Sequence, residues 1–168
     1  LVQHGPILRV VFGPRDPSYI SPILSAIQSD LCESGIDGVL STHIQRDALE
    51  KFSYVSPIGA AGVYLHAVAG DFQKEGPARE LFKSMIREIS ALAAAMGYPF
   101  EKDYVKINLE ILSNLSADAT TSMQRDIMEG KPSELDGLVM EPLRLAKKYS
   151  VSMPCYEEVA KVLCPLEF

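Results

Sequence analysis

Three side chains in this sequence have types and positions that could act on a polar ligand: Lys51, Ser122 and Glu134. Two of them sit in the run Thr121 to Asp136, TSMQRDIMEGKPSELD, which reads as two helix starts in quick succession. Thr121 with Gln124 fits a capping box, in which the first side chain accepts from a backbone N–H and the fourth reaches back. Gly130, Lys131 and Pro132 then stop that short helix, because Gly takes a left-handed position and Pro cannot continue the ladder. Ser133 with Asp136 fits a second capping box and restarts the helix at Glu134. Ser122 and Glu134 are thus expected in first turns, beside unpaired N–H groups and the positive end of a dipole. Such a place suits an anion or a polar ligand, although capping and solvation alone would also account for these residue types. Asp47 with Glu50 fits a third box, which predicts a helix from Ala48 with Lys51 in its first turn. A cation is disfavoured there, so Lys51 either snorkels to solvent or serves chemistry.

The bulk composition narrows the function classes. A chain of 168 residues that is 47% hydrophobic has enough apolar material for a proper core. Sixteen Lys and Arg against 22 Asp and Glu give a net charge of −6. No basic stripe is present, so nucleic acid is not an expected partner. Cys32, Cys155 and Cys164 are odd in number and lack C-x-x-C spacing, which reads as buried or free thiols in a reducing, cytoplasmic compartment. His4, His43 and His66 are scattered, so no metal is expected. The uncharged run Phe52 to Gly70 has borderline membrane-span length. Its Pro57, His66, glycines and hydroxyl side chains suit a helix buried inside a protein, and no membrane association is expected. The chain starts at Leu1 on strand-like sequence without a signal-peptide pattern, and is read as a portion of a longer protein.

The elements that must position the three side chains fall into two parts. Residues 1–45 alternate strand and helix signals. Leu8 to Phe12 is a short strand ended by Gly13-Pro14, Ser21-Pro22 opens a helix closed by Gly35, and Asp37 to Ile44 is a second strand. Residues 46–168 read as an all-helical bundle. Pro57 interrupts the helix that carries Lys51, and Gly59-Ala60-Ala61-Gly62 strips a full turn of side chains so that another element can approach closely. Pro77 starts a long helix with Leu81, Met85, Ile89, Leu92 and Met96 on one face, ended by Gly97 and Pro99. A further helix is predicted over Asp103 to Leu115 with Tyr104, Ile107, Ile111 and Leu115 inward. Another runs Glu134 to Tyr149 with Pro142 as a kink. The last begins at Pro154 with Val159, Val162 and Leu163 inward.

The run S-M-x-x-D-I followed five residues later by S-E-L-D (Ser122, Met123, Asp126, Ile127, Ser133, Glu134, Asp136) resembles the C-terminal signature of the ketopantoate reductase family. The N-terminal H-G-P (His4-Gly5-Pro6) before an apolar strand ending in F-G is similar to the end of that family's nucleotide-binding domain. The resemblance implies a mainly α fold, a helical bundle of the 6-phosphogluconate dehydrogenase C-terminal-like type. Ahead of it would come a short α/β piece, residues 1–45, from the end of a Rossmann domain, with residues 46–168 as the substrate-binding and catalytic domain. It implies NADPH-dependent reduction of ketopantoate to pantoate, on the route to pantothenate and coenzyme A, with a small 2-oxo acid as the partner molecule and a homodimer among the assemblies it allows. By the same resemblance Lys51 is the proton donor, Ser122 bonds the substrate, and Glu134 faces the cofactor.

This chain also departs from the family's pattern. Val55, Gly59 and Ala69 stand where the family often has asparagines, which points to a different, bulkier or more apolar 2-oxo acid as an alternative. No G-x-G-x-x-G fingerprint is present, and neither Gly13 nor the Gly59–Gly62 turn replaces it, so these residues alone are expected to be inert. A non-catalytic helical interaction or dimerisation module is the alternative from another class.

Overall fold

The computed structural model describes residues 8–16, 18, 19 and 21–165, in two compact units, Leu1–Ala48 and Leu49–Phe168. His4-Gly5-Pro6 lies outside the described residues. In the first unit, β1 (Arg9–Phe12) pairs in parallel with β2 (Asp37–Leu40), with Arg9 opposite Asp37 and Phe12 opposite Leu40. Between them runs α1 (Pro22–Glu33), whose N-cap Ser21 accepts from the Ile23 N–H at 3.3 Å with Pro22 at its first position. Gly35 closes it at φ 78°, a left-handed value that favours glycine. β2 is shorter than the pattern predicts, because the chain leaves the strand at Ser41 and turns into the next helix. The Ser41 hydroxyl accepts from the His43 N–H at 2.9 Å and donates to Asp47.

That next helix, α2, runs Ile44–Leu65. It is followed by α3 (Ala69–Gln73), α4 (Pro77–Ala95), α5 (Tyr104–Ser113), α6 (Ser122–Met128), a π-helical segment (Asp136–Met140), α7 (Glu141–Tyr149) and α8 (Pro154–Leu163). The second unit is therefore all helical, as the 3.6-residue apolar periodicity predicts. α4 is its spine, with Phe82, Met85, Ile86 and Ile89 fully buried and contacts to α3, α5, α7 and α8. The rings of Tyr54 and Phe72 meet Phe82 edge-on at 6.0 and 5.9 Å. α8 has no capping side chain of its own at Met153. The Glu88 carboxylate on α4 supplies the cap, accepting from the Cys155 and Tyr156 N–H groups at 2.8 and 3.1 Å.

Two prolines each free a backbone carbonyl, and each carbonyl is claimed by another helix. Pro57 has no N–H for the Ser53 carbonyl four residues earlier, and Asn108 of α5, buried to 1% exposure, donates its Nδ2 there at 3.1 Å. Pro142 likewise leaves the Leu138 carbonyl free, and the buried Ser56 hydroxyl of α2 donates to it at 2.6 Å. A second contact joins the Ser56 hydroxyl to Tyr156 of α8. These bonds lock α2 to α5, α8 and the π-helical segment.

Some faces differ from the periodicity. α5 buries Asn108 and Leu112, while Ile111 is 44% exposed, because the inward row is set by the bond to Ser53. Val162 on α8 is 59% exposed, and Tyr156 with Val159 and Ala160 fill the core instead. The uncharged run is interior: Ser53 and every residue from Ser56 to Gly62 are buried. No helix of the described residues is long and apolar enough to cross a membrane. Cys32, Cys155 and Cys164 form no disulfide among the described residues.

Candidate functional site

The helix carrying Lys51 begins at Ile44, four residues earlier than the Asp47–Glu50 pattern predicts, so that Asp47 lies inside its first turn, where its carboxylate accepts from the Ser41 hydroxyl. Lys51 therefore lies in the second turn of α2, beyond the strongest part of the dipole, and its side chain is exposed. Ser122 opens α6 behind the predicted capping box. Gln124 N–H donates to Thr121 Oγ1 at 3.2 Å, and Thr121 N–H returns a bond to Gln124 Oε1 at 3.0 Å. Gly130 ends the stretch at φ 67°.

The second predicted box, Ser133 with Asp136, does not form. The Asp136 carboxylate pairs with Arg144 instead, and the chain turns from Glu134 directly into the π-helical segment, with Leu138 N–H donating to the Glu134 carbonyl at 2.8 Å. Ser122 and Glu134 are both exposed.

The elements bearing these residues meet at Gly59. A Cβ there would lie 3.1 Å from Met123 Cε, 3.9 Å from Leu138 Cδ1 and 4.0 Å from Thr121 Oγ1. α2 thus meets side chains from the start of α6 and from the π-helical segment at one point, where a methyl on Gly59 would press against Met123. One turn on, Gly62 receives the Gln124 side chain, whose amide is held by Ala67 O at 2.8 Å. Lys51, Tyr54, Val55, Ile58, Gly59 and Gly62 share one face of α2 by their three- and four-residue spacing. The structure brings the side chains of Met123 and Leu138, from the elements that carry Ser122 and Glu134, against Gly59 of α2, but it does not join the side chains of Lys51, Ser122 and Glu134. Among the described residues none of the three bonds another, and the ion pairs use other groups.

Val55, Gly59 and Ala69 offer no polar replacement for the asparagines of the pattern. Val55 is 38% exposed, Gly59 is covered by Met123, and Ala69 is buried with its N–H bonded to the Ala119 carbonyl at 2.9 Å.

Beside this face lies a cavity of about 170 Å³ lined by Tyr54, Ile58, Ala69, Phe72, Leu115 and Thr121, among others. The Tyr54 hydroxyl is a buried polar side-chain atom with no hydrogen-bond partner among the described residues. Burial holds the Tyr54 phenol above its ordinary range, so it stays protonated. Sequence reasoning passed over Tyr54, although its place three residues after Lys51 puts it on the same helix face. It also passed over Ser56 and Asn108, whose partners are remote in sequence.

No phosphate cradle exists among the described residues. Gly13 is occupied by close approach of the Ser41 carbonyl, 2.3 Å from where its Cβ would stand, and the Gly59–Gly62 turn is filled by Met123 and Gln124. The pyrophosphate of a dinucleotide does not fit either glycine stretch. Nor is any group of three or more His, Cys, Asp or Glu side chains among the described residues arranged to hold a metal ion.

Residues 43–167 match the family described as ketopantoate reductase PanE/ApbA C terminal. The chain belongs to this family. The chain is 26% identical over 158 residues to a 2-dehydropantoate 2-reductase of Aquifex aeolicus, covering 92% of this chain and 51% of that protein. Its fold is similar to the crystal structure of 2-dehydropantoate 2-reductase from Methylococcus capsulatus, with a TM-score of 0.84 and 24% identity over 98% of this chain and 52% of the other. It is also similar to a dimeric ketopantoate reductase from Staphylococcus aureus, with a TM-score of 0.75 and 19% identity over 86% of this chain and 50% of that one. The chain thus spans about half the length of the relatives it matches. The helical architecture from α2 to α8 is that of the ketopantoate reductase C-terminal domain.

Proposed function

We propose that this chain is the substrate-side part of an NADPH-dependent reductase of 2-oxo acids, with Lys51 as proton donor, Ser122 as a substrate contact and Glu134 turned to the cofactor. The observation that carries the reading is the contact at Gly59, on the Lys51 face of α2, with the side chains of Met123, next to Ser122, and of Leu138, four residues after Glu134. Reduced nicotinamide supplies the hydride in this chemistry. Reduction of the ketone leaves an alkoxide, and an exposed ammonium on a rigid helix stabilises that charge and gives up the proton. Ser122, on the first position of α6 next to the capped Thr121, presents a hydroxyl for the carboxylate or carbonyl of the acid. Glu134 is the one contact to a dinucleotide proposed here. The absence of a phosphate cradle supports a nucleotide-binding portion outside these residues, with 1–45 as its C-terminal end and 46–168 as the substrate domain. The apolar Val55 and closed Gly59 favour a 2-oxo acid held with few polar contacts on that side.

NADPH oxidation by the intact protein with ketopantoate and other 2-oxo acids, beside its Lys51→Ala variant, tests the reading. Loss of general-acid assistance lowers kcat by roughly 10²–10⁴-fold. Turnover unchanged in Lys51→Ala would remove Lys51 from the chemistry, and a folded protein that binds NADPH but reduces no 2-oxo acid would favour a non-catalytic module. The 168 residues alone are expected to oxidise no NADPH.

A further inference from the structure

We propose that Ser56 is a positioning residue for Glu134: its buried hydroxyl locks the π-helical segment that follows Glu134 and so sets where that side chain points. The inference rests on the reductase reading above for what Glu134 meets. Glu134 is tied to the segment through its carbonyl, which accepts from the Leu138 N–H at 2.8 Å. The carbonyl of the same Leu138 accepts from Ser56 Oγ at 2.6 Å. The single proton of the Ser56 hydroxyl is used there, so its second contact is a bond donated by Tyr156. Ser56 and Tyr156 are both fully buried. Burial holds the Tyr156 phenol above its ordinary range, so it remains a donor. Tyr156 is itself anchored, because the Glu88 carboxylate accepts its N–H at 3.1 Å. A chain of bonds thus runs from the core, through Tyr156, Ser56 and Leu138, to the backbone of an exposed carboxylate residue.

The wide turn needs such a lock. It is the one π-helical segment among the described residues, and turns of this kind are rare and concentrate at functional sites. Its local cause is Pro142, which has no N–H for the Leu138 carbonyl and whose ring would press on that carbonyl in an α-helix. The Asp136 carbonyl instead takes the Glu141 N–H, five residues on. A relapse to α-helical register removes one residue from the turn, which moves everything ahead of it by about 1.5 Å and about 100° relative to α7. Glu134 would then present its carboxylate in a different direction. The Asp136–Arg144 pair also spans the segment, but both side chains are exposed, and exposed pairs contribute little. Ser56 is the buried group that holds the wide turn.

The test measures NADPH affinity by calorimetry, the melting midpoint, and amide hydrogen exchange over residues 134–141 in the intact protein and its variants. Ser56→Ala should weaken NADPH by about tenfold or more, the usual effect of losing a hydrogen bond to a charged group, and should speed exchange over 134–141. Tyr156→Phe removes a hydroxyl from the same chain of bonds but keeps the Ser56–Leu138 bond. Its affinity should stay within about twofold of native despite a comparable fall in the midpoint. Combining Ser56→Ala with Pro142→Ala gives the Leu138 carbonyl an N–H within its own helix. That double variant should regain the midpoint yet still bind NADPH weakly, and it carries the test if Ser56→Ala alone does not fold. Native affinity in the double variant, or equal losses of affinity in Ser56→Ala and Tyr156→Phe, would show a purely structural hydroxyl and overturn the proposal. Glu134→Gln tells failure of the reductase reading apart: NADPH binding unchanged there would remove Glu134 from the cofactor. Exchange in Ser56→Ala would then decide the positioning role by itself, faster exchange over 134–141 upholding it and native exchange overturning it.

Discussion

The carbonyl of Ser53 offers a sharp test of how α2 is held. Pro57 denies it the intrahelical bond, and Asn108 Nδ2 replaces that bond at 3.1 Å from a fully buried position on α5. Asn108→Ala would leave the carbonyl buried and unpaired, at about 1–3 kcal/mol, and a small cavity adds roughly 1 kcal/mol. The expected loss is therefore about 2–4 kcal/mol, and each kcal/mol lowers the melting midpoint of a chain this size by about 2–4 °C. In a Pro57→Ala background the regained N–H at 57 bonds the Ser53 carbonyl directly. Asn108→Ala then costs only its cavity and its bond to Ser53 Oγ, a hydroxyl that keeps a second bond to Glu50 O at 2.7 Å. The cavity contribution is common to both backgrounds and cancels in a double-mutant cycle. Urea unfolding of the four proteins should give a coupling of about 1–2 kcal/mol between Asn108 and Pro57. Additivity within about 0.5 kcal/mol would refute the claim that Asn108 is there to satisfy the carbonyl that proline strands.

Two further outcomes follow from the same helix and its neighbours. Gly62→Ala drives a methyl to 2.7 Å from the Gln124 carboxamide, which is pinned by Ala67 O and by the Thr121 box. The expected net loss is about 1–2 kcal/mol in chemical denaturation even after the gain in helix propensity, whereas equal or higher stability would show that Gln124 moves freely. Hydrogen bonding to Arg144 holds the Asp136 carboxyl below the usual carboxylate range. Its contribution is present above the ordinary value of about 3.9 and is lost as pH falls through the lowered folded value. Asp136→Asn should flatten the pH dependence of the midpoint below about pH 4, and a slope unchanged from the native protein would remove the pair from the acid response.

Much of the fold was legible because helix boundaries depend on residues close in sequence. Pro77, Gly97, Pro154 and the Thr121–Gln124 box act within a turn of their own positions, and the apolar period of α4 survives unchanged in the structure. The signature around Ser122 and Glu134 pointed to the family for the same reason, since it is a local pattern of types and spacings, and the match over residues 43–167 bears it out. Local rules failed where a side chain had a choice of partners. Asp136 chose Arg144 over capping its own helix, and Asp47 accepts from Ser41 inside a helix that starts before it. The tertiary structure alone decided which groups answer the carbonyls stranded by Pro57 and Pro142, because Asn108 and Ser56 lie 55 and 82 residues away from them. It alone left the Tyr54 hydroxyl buried without a partner among the described residues. A periodicity says which side of a helix is inward, but only packing in three dimensions says what each inward polar atom will meet there.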